Sequence, residues 1–268
     1  FAGPLFNSSA STNTVTKSGA GLMTTGGTST YPGATNINAG TLVLGGSIRS
    51  TAAITVATGT TLEVTSINPF TTGHGAAEVA SQAIQVNGGT LRFTSTSEAR
   101  LGNIGLNGGT LTSNRGSGFG NGYDIYLGAL DSAAEATVSV TGTTASTING
   151  SGFLRLGTNT VFDVADADVA GDDLTVSIGF RDQSLDQASA PGGLTKIGDG
   201  TMTLSGVSGH TGHTTVNGGT LKLATGGSLR FAPGANGVSN KVTGTGTAQF
   251  SGAFEIILTG ADNTIGNS

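Results

Sequence analysis

Three groups of residues in this 268-residue chain have the types and spacing that chemistry uses. His210 and His213, in "HTGH", form an H-x-x-H arrangement that can bring two imidazoles to one metal ion. A turn fixes no geometry for such a pair, and His74 stands alone in a Gly-rich stretch, so the sequence predicts solvated turn residues. Asp163, Asp166, Asp168, Asp172 and Asp173, in "DVADADVAGDD", could offer oxygens to Ca²⁺, which takes roughly six to eight. Their spacing fits neither an EF-hand loop nor the G-G-x-G-x-D calcium repeat. The expectation is therefore a solvated loop and strand with outward Asp at alternate positions. Arg155 and Arg181 stand among 16 acidic residues, and carboxylate pairs beside arginines are the equipment of polysaccharide cleavage. Platforms for sugar stacking are scarce, because Trp is absent and Tyr occurs three times.

Other catalytic patterns fail at the level of motif. No G-x-S-x-G elbow is present to carry a serine nucleophile. The loops "KSGAG" and "KIGDG" resemble phosphate loops only in glycine content; G-x-x-x-x-G-K-[ST] does not occur, and turns account for them. The chain is accordingly expected to have no catalytic residues and no cofactor.

Composition points the same way. Forty-seven Gly, no Cys, no Trp and 10% charged residues lie far from the usual globular mixture, in which about a quarter of residues are charged. A net charge of -5, with 11 Lys and Arg scattered along the chain, leaves no basic stripe for nucleic acid. Without cysteine there is no disulfide framework and no thiolate metal site. No apolar run approaches the ~18 residues of a membrane-spanning helix, so no membrane insertion is expected of this segment. Short Val, Ile, Leu and Thr clusters separated by Gly, Asn and Asp instead predict many short strands and tight turns.

The chain repeats itself. Residues 15 to 45, "VTKSGAGLMTTGGTSTYPGATNINAGTLVLG", lie over residues 194 to 224, "LTKIGDGTMTLSGVSGHTGHTTVNGGTLKLA", without a gap at an offset of 179. Lys17, Gly19, Gly21, Gly33, Gly40 and Leu42 fall on Lys196, Gly198, Gly200, Gly212, Gly219 and Leu221. Shorter echoes, each a turn followed by T-L-x-apolar, place Leu42, Leu62, Leu91, Leu111 and Leu221 in equivalent positions. Alternation after a Gly-bearing turn is the period of a strand with one buried face. A five-residue strand cannot bury that face alone, whereas stacked coils can, and that is the logic of a solenoid. No ten-residue segment keeps a helical period free of Gly, and a β-sandwich would not reuse one turn word five times. Ten to twelve coils at ~4.8 Å would make a single elongated domain on the order of 50 to 60 Å long.

The two long copies resemble the passenger-associated transport repeat, also called the autotransporter-associated β-strand repeat. The second copy fits with Gly193, Leu194, Lys196, Gly198, Gly200, Met202, Leu204, Gly206, Gly212, Thr214, Val216, Gly219, Thr220 and Leu221; the pattern's Tyr is kept as Tyr31 and replaced by His210. The resemblance implies an all-β fold, a right-handed parallel β-helix, in a secreted or surface-displayed bacterial protein, where the repeat accompanies efficient export.

Residues 258 to 268, "LTGADNTIGNS", begin the same word and stop before its second half. The sequence therefore divides into an N-terminal segment, 1–14, a β-helix, 15–257, and a partial repeat, 258–268. Either the polypeptide continues, or another copy completes the coil. Head-to-tail stacking of copies, through Phe1, Phe6, Phe254, Leu258 and Ile265, is the preferred expectation, giving an extracellular fibre or scaffold. Binding of a host or matrix glycan or protein along the rod is the alternative. A β-helical polysaccharide enzyme comes third.

Overall fold

The computed structural model describes residues 3, 13–49, 52–66, 69–70, 83–94, 99–114, 124–128, 136–168, 170–185, 188–233 and 239–258. Every regular element among them is a β-strand. Two parallel ten-stranded sheets form the main walls of a β-solenoid. The first runs from Val15–Lys17 and Thr35–Ile37 to Thr214–Val216 and Val242–Thr243; the second runs from Leu22–Thr25 and Thr41–Leu44 to Thr220–Leu223 and Thr247–Phe250. A third wall is shorter. Its central part pairs Ala99–Leu101, Ile125–Leu127, Phe153–Leu156 and Gly179–Leu185 in parallel, and separate pairs of strands form it near each end. Ten rungs at ~4.8 Å span about 45 Å, a little shorter than the sequence suggests.

Each coil is assembled from the word read in the sequence. Gly40, Gly88, Gly108 and Gly219 sit in the turns between the first and second walls with φ of +69°, +68°, +61° and +54°, values that residues with a Cβ rarely adopt. The T-L-x-apolar strands follow, and their alternate residues point inward. Met23, Leu42, Leu62, Leu91, Leu111, Ile148, Val176, Leu204, Leu223 and Phe250 form one continuous inner column, paired residue to residue. Burying a side chain of this size contributes about 1.5–3 kcal/mol, so the column is a main source of stability. On the outer side Thr41, Thr61, Thr90, Thr110, Thr147, Thr175 and Thr203 form a seven-rung column, where stiff β-branched side chains suit a pleated surface.

The two long copies keep their alignment, Leu42 pairing with Met23 as Leu221 pairs with Met202, but they do not share one column along the rod. Leu221 does not join the column of Leu42, Leu62, Leu91 and Leu111; it pairs with Met202 and lies in the column two residues away. The cause is the strand Ser146–Ser151, whose far end pairs back to Ser113 and Asn114 while its near end pairs forward to Leu174. The second wall drifts sideways by two residues at that rung, and the inward alternation is preserved.

Candidate functional site

The chemistry-bearing side chains lie mainly at the corners of the coils. Lys196 occupies an inner column of the first wall, between Phe162 and Val216, and is fully buried. Its ammonium donates to the carbonyl oxygens of Ile197 at 3.1 Å, Gly198 at 2.8 Å and Gly218 at 3.0 Å. Lys17 repeats the device, donating to the carbonyls of Gly19 and of Ala39, the latter at 2.9 Å. The repeat's lysine is thus a clip that joins a turn of its own coil to the turn of the next. Burial pushes the Lys196 ammonium down to about 8, against the pull of Asp173, Asp163 and Asp199.

A folded-state value below the unfolded 10.5 means that the unfolded chain holds the proton more tightly between pH 8 and 10.5. Stability is therefore expected to rise with pH across that window. In Lys196→Met the rise disappears, and the carbonyls left without a donor cost about 2 kcal/mol near neutrality. Urea unfolding at a series of pH values measures both.

The acidic cluster serves the backbone. Asp173 is buried and accepts from the amides of Ala167 at 2.8 Å and Thr201 at 2.6 Å, fastening the loop before it to the coil after it. Asp172 pairs with Lys222 at 2.9 Å, and Asp166 accepts from the Asp168 amide at 2.9 Å, stabilising Asp168 at φ +56°. Asp163 lies on the outer side of its strand, as alternation predicts, but Asp173 is not solvated as the sequence suggested. Among the described residues no three His, Asp or Glu side chains converge as metal ligands.

His210 is not a solvated turn residue; it is 1% exposed. Its Nε2 lies 3.1 Å from Thr214 Oγ1, and its ring packs edge-on against Phe180 at 6.1 Å. Tyr31 fills the same place in the first copy, buried and 2.5 Å from Thr35 Oγ1. The position requires a planar side chain whose polar end reaches the threonine four residues on, a role imidazole and phenol share. Burial, only partly opposed by Asp182, holds the His210 pKa at about 4. His213 is exposed, and its Nδ1 accepts from the Lys241 amide at 3.3 Å, so the two histidines do not form a pair.

The outer face of the third wall carries a feature the sequence did not reveal. Arg100, Tyr126, Arg155 and Arg181 occupy one outward column, each in register with the next. Arg100 and Arg155 lie 5.6 and 5.8 Å from the Tyr126 ring centre, and Arg181 stacks on Phe153 at 3.4 Å. Asp124 accepts from Arg155 Nε at 2.6 Å, and both are buried. Asp182 turns instead to the corner, accepting from the amides of Gly192 and Thr211 at 2.7 Å each and from the Thr211 hydroxyl at 2.8 Å. The signal available in the sequence is the word "ARLG", "IYLG", "LRLG" at residues 99, 125 and 154, which alternates core residues with Arg or Tyr.

The last described coil differs from those before it. Phe250 and Phe254 continue columns whose preceding members, Leu223 and Leu229, are buried, yet they are 42% and 48% exposed. Ile256 and Leu258 are also exposed, and Phe254 stacks edge-on against both Phe250 and Phe231. Phe1, Phe6, Ile265 and His74 lie outside the described residues.

A parallel solenoid with a carbonyl-clipping lysine in its turns, built twice at an interval of 179 residues, defines an all-β repeat protein organised around a distinct coil unit. That unit is the passenger-associated transport repeat, whose family model matches residues 15–44 and 194–223, so the chain carries two copies of it. No curated protein and no solved structure matches the chain.

Proposed function

We propose that this chain is a structural, non-enzymatic stretch of an exported bacterial surface protein, and that its rod extends by stacking the last coil of one copy on the first coil of the next. The supporting observation is a pair of complementary ends. At one end Phe250, Phe254 and Ile256 present partly uncovered apolar faces, and among the described residues the two long sheets have Val242–Thr243 and Thr247–Phe250 as their last strands. Such edges are templates for further strands.

At the other end Gly19 and Gly21 have nothing within 4 Å of a hypothetical Cβ among the described residues. Their equivalents Gly198 and Gly200 lie on the preceding coil, where a Cβ would meet the carbonyl oxygens of Val164 and Ala165 at 2.4 Å. The first described coil keeps the clearance that a coil beneath it needs. A contact between unlike ends repeats without closing and gives a filament.

Light scattering of the purified chain is expected to show mass rising with concentration, and electron microscopy to show filaments about one coil wide. Ser at both Phe250 and Phe254 should return the chain to monomer with its Tm lowered little, since both rings are already half-exposed. A parent chain that stays monomeric at all accessible concentrations overturns the assembly reading.

A further inference from the structure

We propose that the outer face of the third wall, centred on Arg181, binds an acidic polysaccharide through its carboxylates or sulfates. Arg155 and Arg181 are register partners on adjacent parallel strands, which places two guanidinium groups one rung apart. Like charges set side by side are destabilising unless something offsets them. For Arg155 the offset is Asp124, at 2.6 Å, with the Asp182 carbonyl at 2.9 Å satisfying Nη1. Further along the same face Arg230 is matched by Glu255 at 3.0 Å.

Arg181 differs from both. Its guanidinium is half-exposed and lies against the Phe153 ring at 3.4 Å, with no hydrogen bond or ion pair to any described residue. Partial burial, together with the charges of Arg155 and Arg230, presses its pKa down, and only Asp124 pulls the other way. Stacking holds the planar fork while leaving its N–H edges free, and that fork matches a carboxylate or sulfate with two hydrogen bonds. An anion placed there would supply the hydrogen-bond acceptors that Arg181 lacks among the described residues.

The surroundings favour an extended ligand. Glycine at position 209 lets the Arg230 guanidinium lie close, at 3.1–3.3 Å from where a Cβ would stand, so a second cation borders the site on the side away from Arg155. Arg100, Tyr126 and Arg155 are buried, so the accessible cations are Arg181 and Arg230, which follow one another along the rod axis as successive anions of a linear polymer would. This site does not depend on whether the rods assemble.

Affinity electrophoresis and calorimetry of the full chain with polygalacturonate and dextran sulfate, neutral dextran and single-stranded DNA test the proposal. Saturable binding to one or both acidic polysaccharides, weakened by salt, is expected, with none to neutral dextran. Arg181→Gln should weaken it at least tenfold. Arg181→Lys, which keeps the charge and loses the fork, should fall between; it also decides the matter if the Gln variant is misfolded by circular dichroism. Lys222→Gln, on the second wall, should bind like the parent. No saturable binding, equal binding by Arg181→Gln and parent, or DNA binding as tight as that of the polysaccharides overturns the proposal.

Discussion

Gly219→Val is expected to unfold the C-terminal third of the solenoid or to lower the stability of the chain by about 3 kcal/mol or more. Two costs combine at this residue. Its φ of +54° is a conformation that a β-branched residue avoids, at about 1–2 kcal/mol. A Cβ there would also stand 2.3 Å from the Gly200 carbonyl oxygen and 2.6 Å from the Asp199 carbonyl, and this backbone belongs to the coil below. Neither side can yield without breaking the pairing of Thr201–Leu204 with Thr220–Leu223, since both strands start at this turn. Overpacking of this kind adds about 1–3 kcal/mol.

Gly226→Ala separates the two terms. Gly226 has φ +92° with nothing within 4 Å of a Cβ, so only the conformational cost applies and the loss should be near 1 kcal/mol. Urea midpoints rank the variants, and limited proteolysis locates the opened coils. Equal midpoints for the two would mean that the approach of successive coils, rather than backbone conformation, plays no part in placing the repeat's glycines.

The coil was legible because its determinants are local. Thr-Leu-x-apolar after a glycine turn carries both the bend and the inward alternation, so stacking follows for Leu42, Leu62, Leu91 and Leu111 whatever lies between them. The column that Leu221 joins was not legible, because registry accumulates along the rod and the length of one strand, Ser146–Ser151, decides it. The burial of Asp173 and His210 was hidden for a different reason. A polar side chain in a Gly-rich turn looks solvated in sequence, yet in a solenoid each turn lies against the turns of neighbouring coils, and unpaired amides and carbonyls there must be satisfied. Asp173, Asp182 and Lys196 are the side chains that satisfy them. The third wall was hidden because its outward positions hold Arg and Tyr in place of the Thr of the second wall.

The parent chain should lose stability on mild acidification, and His210→Tyr should remove most of that loss. The buried imidazole has Nε2 against Thr214, while Nδ1 has no hydrogen-bond partner among the described residues. Protonation would place a second N–H, and a charge, where no acceptor waits. The folded-state pKa of about 4 lies below the unfolded 6.5, so the unfolded chain takes up the proton first as pH falls. Stability is complete above pH 6.5 and is lost progressively toward pH 4, by about 3 kcal/mol in all and about 2 kcal/mol by pH 5. Tyrosine is the side chain that the first copy uses in this position, reaching Thr35 as His210 reaches Thr214, and it carries no charge across the same range. Unfolding midpoints of parent and His210→Tyr at pH 7 and pH 5 measure the difference; the parent should drop and the variant should change by less than half as much. A variant that drops as far as the parent would move the acid sensitivity away from His210 and onto the carboxylates at the corners.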